Sequence, residues 1–172
     1  KQISKPVTVF DDVLKTLVAD MFETMYDAPG IGLAAIQLGV PLRVLVIDLQ
    51  PDDPDAEPVP CAHDGHHHHH QPTKKEPRVF INPEIVTTDG AQTGAEGCLS
   101  FPGVTEDVKR AANVSIRAVD RNGKPFEIEA DGLLAVAVQH ELDHLDGVLM
   151  IDRVGMLKKR IIQRKMQKRA EA

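Results

Sequence analysis

The sequence predicts an α+β fold, with mostly antiparallel β-sheets packed around a central buried helix, one helix near the N-terminus and one at the C-terminus. Three observations carry that expectation. Helical and strand patterns follow one another as helix, strands, helix, helix, not as a repeating βαβ unit. Two β-rich runs flank an Asn-Gly pair, the short-range signal of a hairpin. The segment "DGLLAVAVQHELDHLDG" (131–147) carries an aliphatic stripe, Leu133, Val136 and Ala137, that continues into His140 and His144, as an interior helix would.

Asp11 or Asp12 can cap the first helix, since a carboxylate accepts the free N–H groups of a helix start. Leu14, Leu17, Val18, Met21 and Met25 follow at helical spacing, and "APG" (28–30) ends the run. "LRVLVIDL" (42–49) and "RVFINPEIV" (78–86) read as strands. Pro83 has no N–H to donate, which places the second at a sheet edge or a bulge. "NVSIRAVD" and "KPFEIEA" form the hairpin, with Asn122-Gly123 at its turn. Asp131 should cap the interior helix and Gly147 stop it. A last helix is expected over about 153–170. Residues 50–77 are rich in Pro and Asp, poor in aliphatics, and hold five histidines in a row, His66 to His70. They read as a mobile loop inserted between two strands. A His run binds metal loosely, without the fixed geometry that catalysis needs. The division expected is a single domain over 1–152, with 50–77 as its insertion, and a basic helix or tail over 153–172.

The chain's 172 residues can bury one substantial core. Apolar residues at 42% and charged residues at 27% are an ordinary globular balance, and aromatics at 3% mean an aliphatic core. The apolar runs are far too short to span a bilayer, so no membrane partner is expected. Two cysteines, Cys61 and Cys98, are too few for a disulfide scaffold. Charge is uneven. Residues 153–172 hold eight basic side chains against one acid, a net of +7, which leaves −13 on the rest of a chain of net −6. A basic tail on an acidic body suits a polyanionic partner, or simply a solvated helix face.

His140, Glu141 and His144 form the pattern H-E-x-x-H. Two histidines four apart on a helix lie on one face, roughly 5–6 Å apart at Cβ, and can share a metal ion. Imidazoles buried on an aliphatic face need partners, because an unpaired polar group is costly to bury. Catalytic metal sites usually take three protein ligands and keep one position open. The long zinc-peptidase pattern would place its third His where Met150 stands, and a thioether is a poor ligand for a hard divalent ion. A ligand Glu on a later helix is also missing, since only Glu171 follows Glu141. Cys98 remains, in "AEGCLSFPG", where Gly97 and Gly103 shape a loop or strand end and a thiolate can serve. Alone, Cys98 would read as a small buried hydrophobe.

"GIGLAAIQ", "EGCLS" and "QHELDH", in this order and separation, resemble the three signature motifs of the bacterial-type peptide deformylases. "INPEI" and "IRAVDRNGKPFEIEADGLLA" are similar to that family too, so the resemblance covers nearly the whole chain outside 50–77. It implies a metal-dependent hydrolase that removes the N-formyl group from the formyl-methionine of nascent polypeptides and releases formate. It implies that Cys98, His140 and His144 hold one divalent ion, natively Fe2+, with Zn2+, Ni2+ or Co2+ able to take the same ligands. A metal-bound water attacks the formyl carbon, with Glu141 as general base and then acid. The Gln37 amide and the Leu99 backbone N–H stabilise the oxyanion. By the same resemblance, Ile31, Leu133, Val136 and Ala137 are expected to line the methionine pocket, and Gly32 and Gly97 to offer backbone contacts to the peptide. The resemblance assigns Glu96 and Arg110 a supporting ion pair; Asp143 could orient a ligand His.

The same resemblance makes ribosome docking the expected use of the basic tail, without sequence-specific nucleic-acid binding. It implies a cytoplasmic enzyme, with an organellar form left open by a chain that starts at Lys1. Two rival readings stand beside it: a zinc endopeptidase, and a metal-binding or ribosome-associated protein without turnover.

Overall fold

The computed structural model describes residues 2–57, 59–61, 68–70 and 73–170. Helix α1, Asp12–Asp27, starts where Asp11 accepts the Leu14 backbone N–H at 3.1 Å. Strand β1 (Gly32–Ala34) runs into a short 3-10 turn, Ala35–Leu38, and β2 (Val44–Ile47) follows. Then come β3 (Val59–Cys61), β4 (His68–His70), β5 (Arg78–Asp89), β6 (Gln92–Cys98), β7 (Phe101–Arg110), β8 (Asn113–Val119) and β9 (Pro125–Asp131). Helix α2, Gly132–Leu145, precedes a 3-10 turn, Met150–Asp152, and α3, Met156–Ala170.

Five strands form one antiparallel sheet in the order β1-β2-β5-β8-β9. All four residues of β2 are buried because both faces are covered. Leu45 and Ile47 pack with Ala135, Ala137, Val138 and Leu145 of α2. Val44 and Val46, pointing the other way, pack with Leu14, Val18, Met21 and Met25 of α1. Strands β6 and β7 make a separate hairpin, and a third cluster joins Val104 and Val108 of β7 to Met150 and Ile151 of the last 3-10 turn and to Ile162 of α3.

The α+β expectation holds, and the differences are local. Pro83 lies in an interior strand, so the bulge is the answer: the β5–β8 register shifts between Ile81 and Glu84. Asn82 there takes φ +51°, a left-handed conformation that Asn tolerates, and its side chain bonds both the N–H and the C=O of Val7. The β8–β9 hairpin has Asn122-Gly123 in a connection spanning 120–124, closed by Asp120 Oδ1 accepting the N–H groups of Asn122 and Lys124. Asp131 occupies the N-cap position of α2 but makes no capping bond through its side chain. The last helix starts at Met156, since residues 150–152 form a 3-10 turn closed by Asp152 on the Leu149 N–H. The 50–77 insertion is not wholly irregular. Strands β3 and β4 pair within it, and Asp52 bridges Thr73, because backbone groups can form a ladder without an apolar side-chain pattern. The side chains of 58–72 lie outside the described residues, and with them the expectation for the His66–His70 run.

Candidate metal centre and cavity

Two elements build the site. Strand β6 brings Glu96, Gly97 and Cys98; helix α2 brings His140, Glu141, Asp143 and His144. The β6–β7 ladder breaks at its end: Gly97 pairs with Thr105, but Cys98 pairs with Phe101. Residues 102–104 are therefore looped out of register, with Gly103 at φ +70°, and they form one wall of a cavity of about 460 Å³. Phe101 and Thr105 complete that wall, and Pro29 to Gly32, Gln37, Ala95 to Leu99, Leu133, Val136, Ala137, His140 and Glu141 line the rest.

The ligand atoms of Cys98, His140 and His144 all lie within 4.8 Å of one another. Cys98 Sγ is 3.2 Å from His144 Nε2. His140 Nδ1 is 2.9 Å from Glu96 Oε2; a carboxylate can only accept, so Nδ1 donates and Nε2 is left for the thiolate side. Burial raises the Cys98 thiol, but hydrogen bonds from His140 and His144 and from the Ser100 backbone N–H outweigh it and bring it down to about 5. Burial lowers His140, but its bonds to Cys98 and Glu96 hold it up at about 10. Burial also pushes Glu141 up to about 7, against the pull of His140 and His144. Glu141 Oε2 is buried without a hydrogen-bond partner among the described residues. A soft thiolate and two imidazoles within reach of one another, beside an orphaned carboxylate oxygen, fit a divalent ion with an open coordination position.

Behind the donors, Arg110 grips Glu96 through two bonds of 2.9 Å and reaches Asp143 Oδ2 at 2.6 Å. Glu96, not Asp143, carries the bond to a histidine of the trio. Asp143 instead bonds two arginines, Arg110 and Arg153. Gln37 sits in the 3-10 turn after β1. Its Oε1 accepts the Ala34 N–H at 2.9 Å and its Nε2 donates to Ser100 Oγ at 3.0 Å, which fixes the amide's orientation. Leu99 occupies the β6–β7 turn and is 36% exposed. Ile31 at 36% and Leu133 at 54% are exposed aliphatics facing the cavity, whereas Ala137 also belongs to the core. Sequence reasoning missed Ser100, which lay in a quoted motif, and Arg153, which carried no local signal beyond its charge.

The model of the polypeptide deformylase family matches residues 1–160. The chain belongs to that family. A peptide deformylase of Novosphingobium aromaticivorans is 63% identical over 173 residues, covering all of this chain and 92% of that relative. The structure is similar to the crystal structure of a peptide deformylase from Legionella pneumophila, at 46% identity and TM-score 0.81 over 99% of this chain and 88% of that one. It is also similar to the Synechococcus elongatus peptide deformylase in complex with actinonin, at 40% identity and TM-score 0.79 over 98% and 81% of the two chains. No described helix is long and apolar enough to cross a membrane.

Proposed function

We propose that the chain removes the formyl group from the N-terminal formyl-methionine of nascent polypeptides, releasing formate. The observation that carries this reading is the unpartnered, buried Glu141 Oε2 in the cavity that Cys98 and His140 line, with His144 completing their donor set. A divalent ion on those donors, Fe2+ by the family resemblance and open to Zn2+, Ni2+ or Co2+, would lower the pKa of a coordinated water toward neutrality. Glu141, raised to about 7, accepts the attacking water's proton on its carboxylate and passes it to the amine nitrogen as the formyl C–N bond breaks. The Gln37 Nε2–H and the Leu99 backbone N–H serve as donors to the oxyanion on the formyl oxygen. His140 is held by Glu96, which Arg110 grips in turn.

Ile31, Leu133, Val136 and Ala137 offer the methionine side chain an apolar wall. The exposure of Leu133 supports this, since an aliphatic side chain there is not filling the core. Gly32 and Gly97 are assigned backbone contacts to the peptide. The catalytic body spans 1–152 and the basic C-terminal segment 153–172, whose exposed Arg160, Arg164, Lys165 and Lys168 on α3 are the assigned ribosome contact, in a cytoplasmic setting. Charge reversal at these four should abolish low-salt co-sedimentation with ribosomes.

Formate release from a formyl-Met peptide, with metal content measured on the same sample, tests the reaction. Glu141→Gln should lose roughly 10²–10⁴-fold in kcat while keeping its metal. A Glu141→Gln enzyme that turned over at the unsubstituted rate would overturn the reading.

A further inference from the structure

The hydrogen-bond chain behind the donors does not end at Arg110. Asp143 Oδ2 also accepts Arg153 Nε at 3.0 Å, and its Oδ1 accepts Arg153 Nη2 at 2.5 Å. Arg153 lies between the 3-10 turn Met150–Asp152 and α3. Charges therefore alternate from His140 outward through Glu96, Arg110, Asp143 and Arg153. The first four are buried, whereas the Arg153 side chain is 46% exposed. It lines a second cavity, of about 490 Å³, which shares no lining residue with the first.

Counting charge shows what Arg153 adds. A His140 that ligates a cation through one nitrogen and donates to Glu96 through the other contributes no charge of its own. Behind it, Glu96 and Asp143 carry two negative charges and Arg110 one positive charge, so without Arg153 two carboxylates face a single guanidinium. Arg110 would be the only guanidinium shared by two carboxylates. Glu96 Oε2 accepts from both Arg110 Nη2 and His140 Nδ1, so any displacement of Arg110 reaches His140 directly.

We propose that Arg153 is a positioning residue for the metal centre: by occupying Asp143, it leaves Arg110 to hold Glu96, and Glu96 to hold His140. This rests on the metal-centre reading above. Outer partners of ligand histidines commonly tune metal affinity by 10–100-fold, and Arg153 stands further out than such partners do.

The test uses full-length protein and Co2+ as the probe. Arg153→Ala should weaken Co2+ binding about 10-fold, at the low end of that range, and shift the cobalt ligand-field bands, with a cooperative melt retained. Arg153→Lys, which restores charge but not the two-pronged geometry, should recover part of the loss. Asp143→Asn combined with Arg153→Ala should bind Co2+ better than Arg153→Ala alone, because a neutral amide no longer competes for Arg110. An Arg153→Ala protein with unchanged affinity and spectrum overturns the proposal, as does loss of the cooperative melt in both the Ala and Lys variants. If the unsubstituted protein shows no thiolate-to-cobalt charge-transfer band, it is the metal-centre reading that fails.

Discussion

Gly32 stands directly against Glu141: a Cβ on Gly32 would lie 2.6 Å from Glu141 Oε1 and 3.0 Å from its Cγ. Both residues are buried, so the carboxylate has little room to withdraw. Gly32→Ala should displace Glu141 while leaving the β1–β2 ladder intact. Misplacement of about 1 Å can cost on the order of 10²-fold in rate, and that is the loss expected. Steady-state formate release and a thermal melt check it; normal turnover would mean that Glu141 relaxes freely.

Gln37 does two things that a substitution can separate. Its Oε1 accepts the Ala34 N–H, and its Nε2 is the only donor end. Gln37→Glu keeps the acceptor and removes the donor. Turnover should fall roughly 10²–10³-fold with metal content unchanged. A kcat within a few-fold of the unsubstituted enzyme would remove Gln37 from the oxyanion role.

Metal loading should release at least one proton at pH 7. Cys98, at about 5, is already a thiolate there. His140, at about 10, still carries the proton that a cation must displace. Affinity should therefore rise with pH through the neutral range. Calorimetric titration with Zn2+ in buffers of different ionisation enthalpy reads the proton count, and zero protons at pH 7 would contradict the thiolate–imidazolium pairing.

Away from the site, Tyr26 donates to Asp48 at 2.5 Å beneath the 50–77 insertion's return. Burial pushes Asp48 up, but the Tyr26 hydroxyl, the backbone N–H groups of Glu76 and Gln50, and Lys75 hold it below its ordinary 3.8. A depressed carboxyl adds stability above its unfolded pKa and loses it as pH falls through the lower folded value. Tyr26 is raised to about 12, by burial and then by Asp48, so its share is present below pH 10 and lost as pH rises through about 12. Urea midpoints against pH should therefore fall below about pH 4 in the unsubstituted protein, and less steeply in Asp48→Asn.

What the sequence by itself determined was local. The α1 stripe, the buried β2 run and the Asn-Gly hairpin are legible because apolar periodicity and turn chemistry operate over neighbouring residues. The H-E-x-x-H trio is legible for the same reason, since helical geometry alone puts His140 and His144 together. Cys98 could be reached only by asking what two imidazoles lack, and the motif resemblance then supplied it. Tertiary structure decided the rest. That Pro83 sits in a bulge and not an edge depends on β8 lying beyond β5. That Glu96, not Asp143, holds His140 depends on how the β6–β7 hairpin meets α2. Arg153 joins the network from outside that hairpin, and Gly32 yields space to a carboxylate more than a hundred residues away. Such contacts are set by how separate elements pack in three dimensions, and residue order alone carries no period that encodes them.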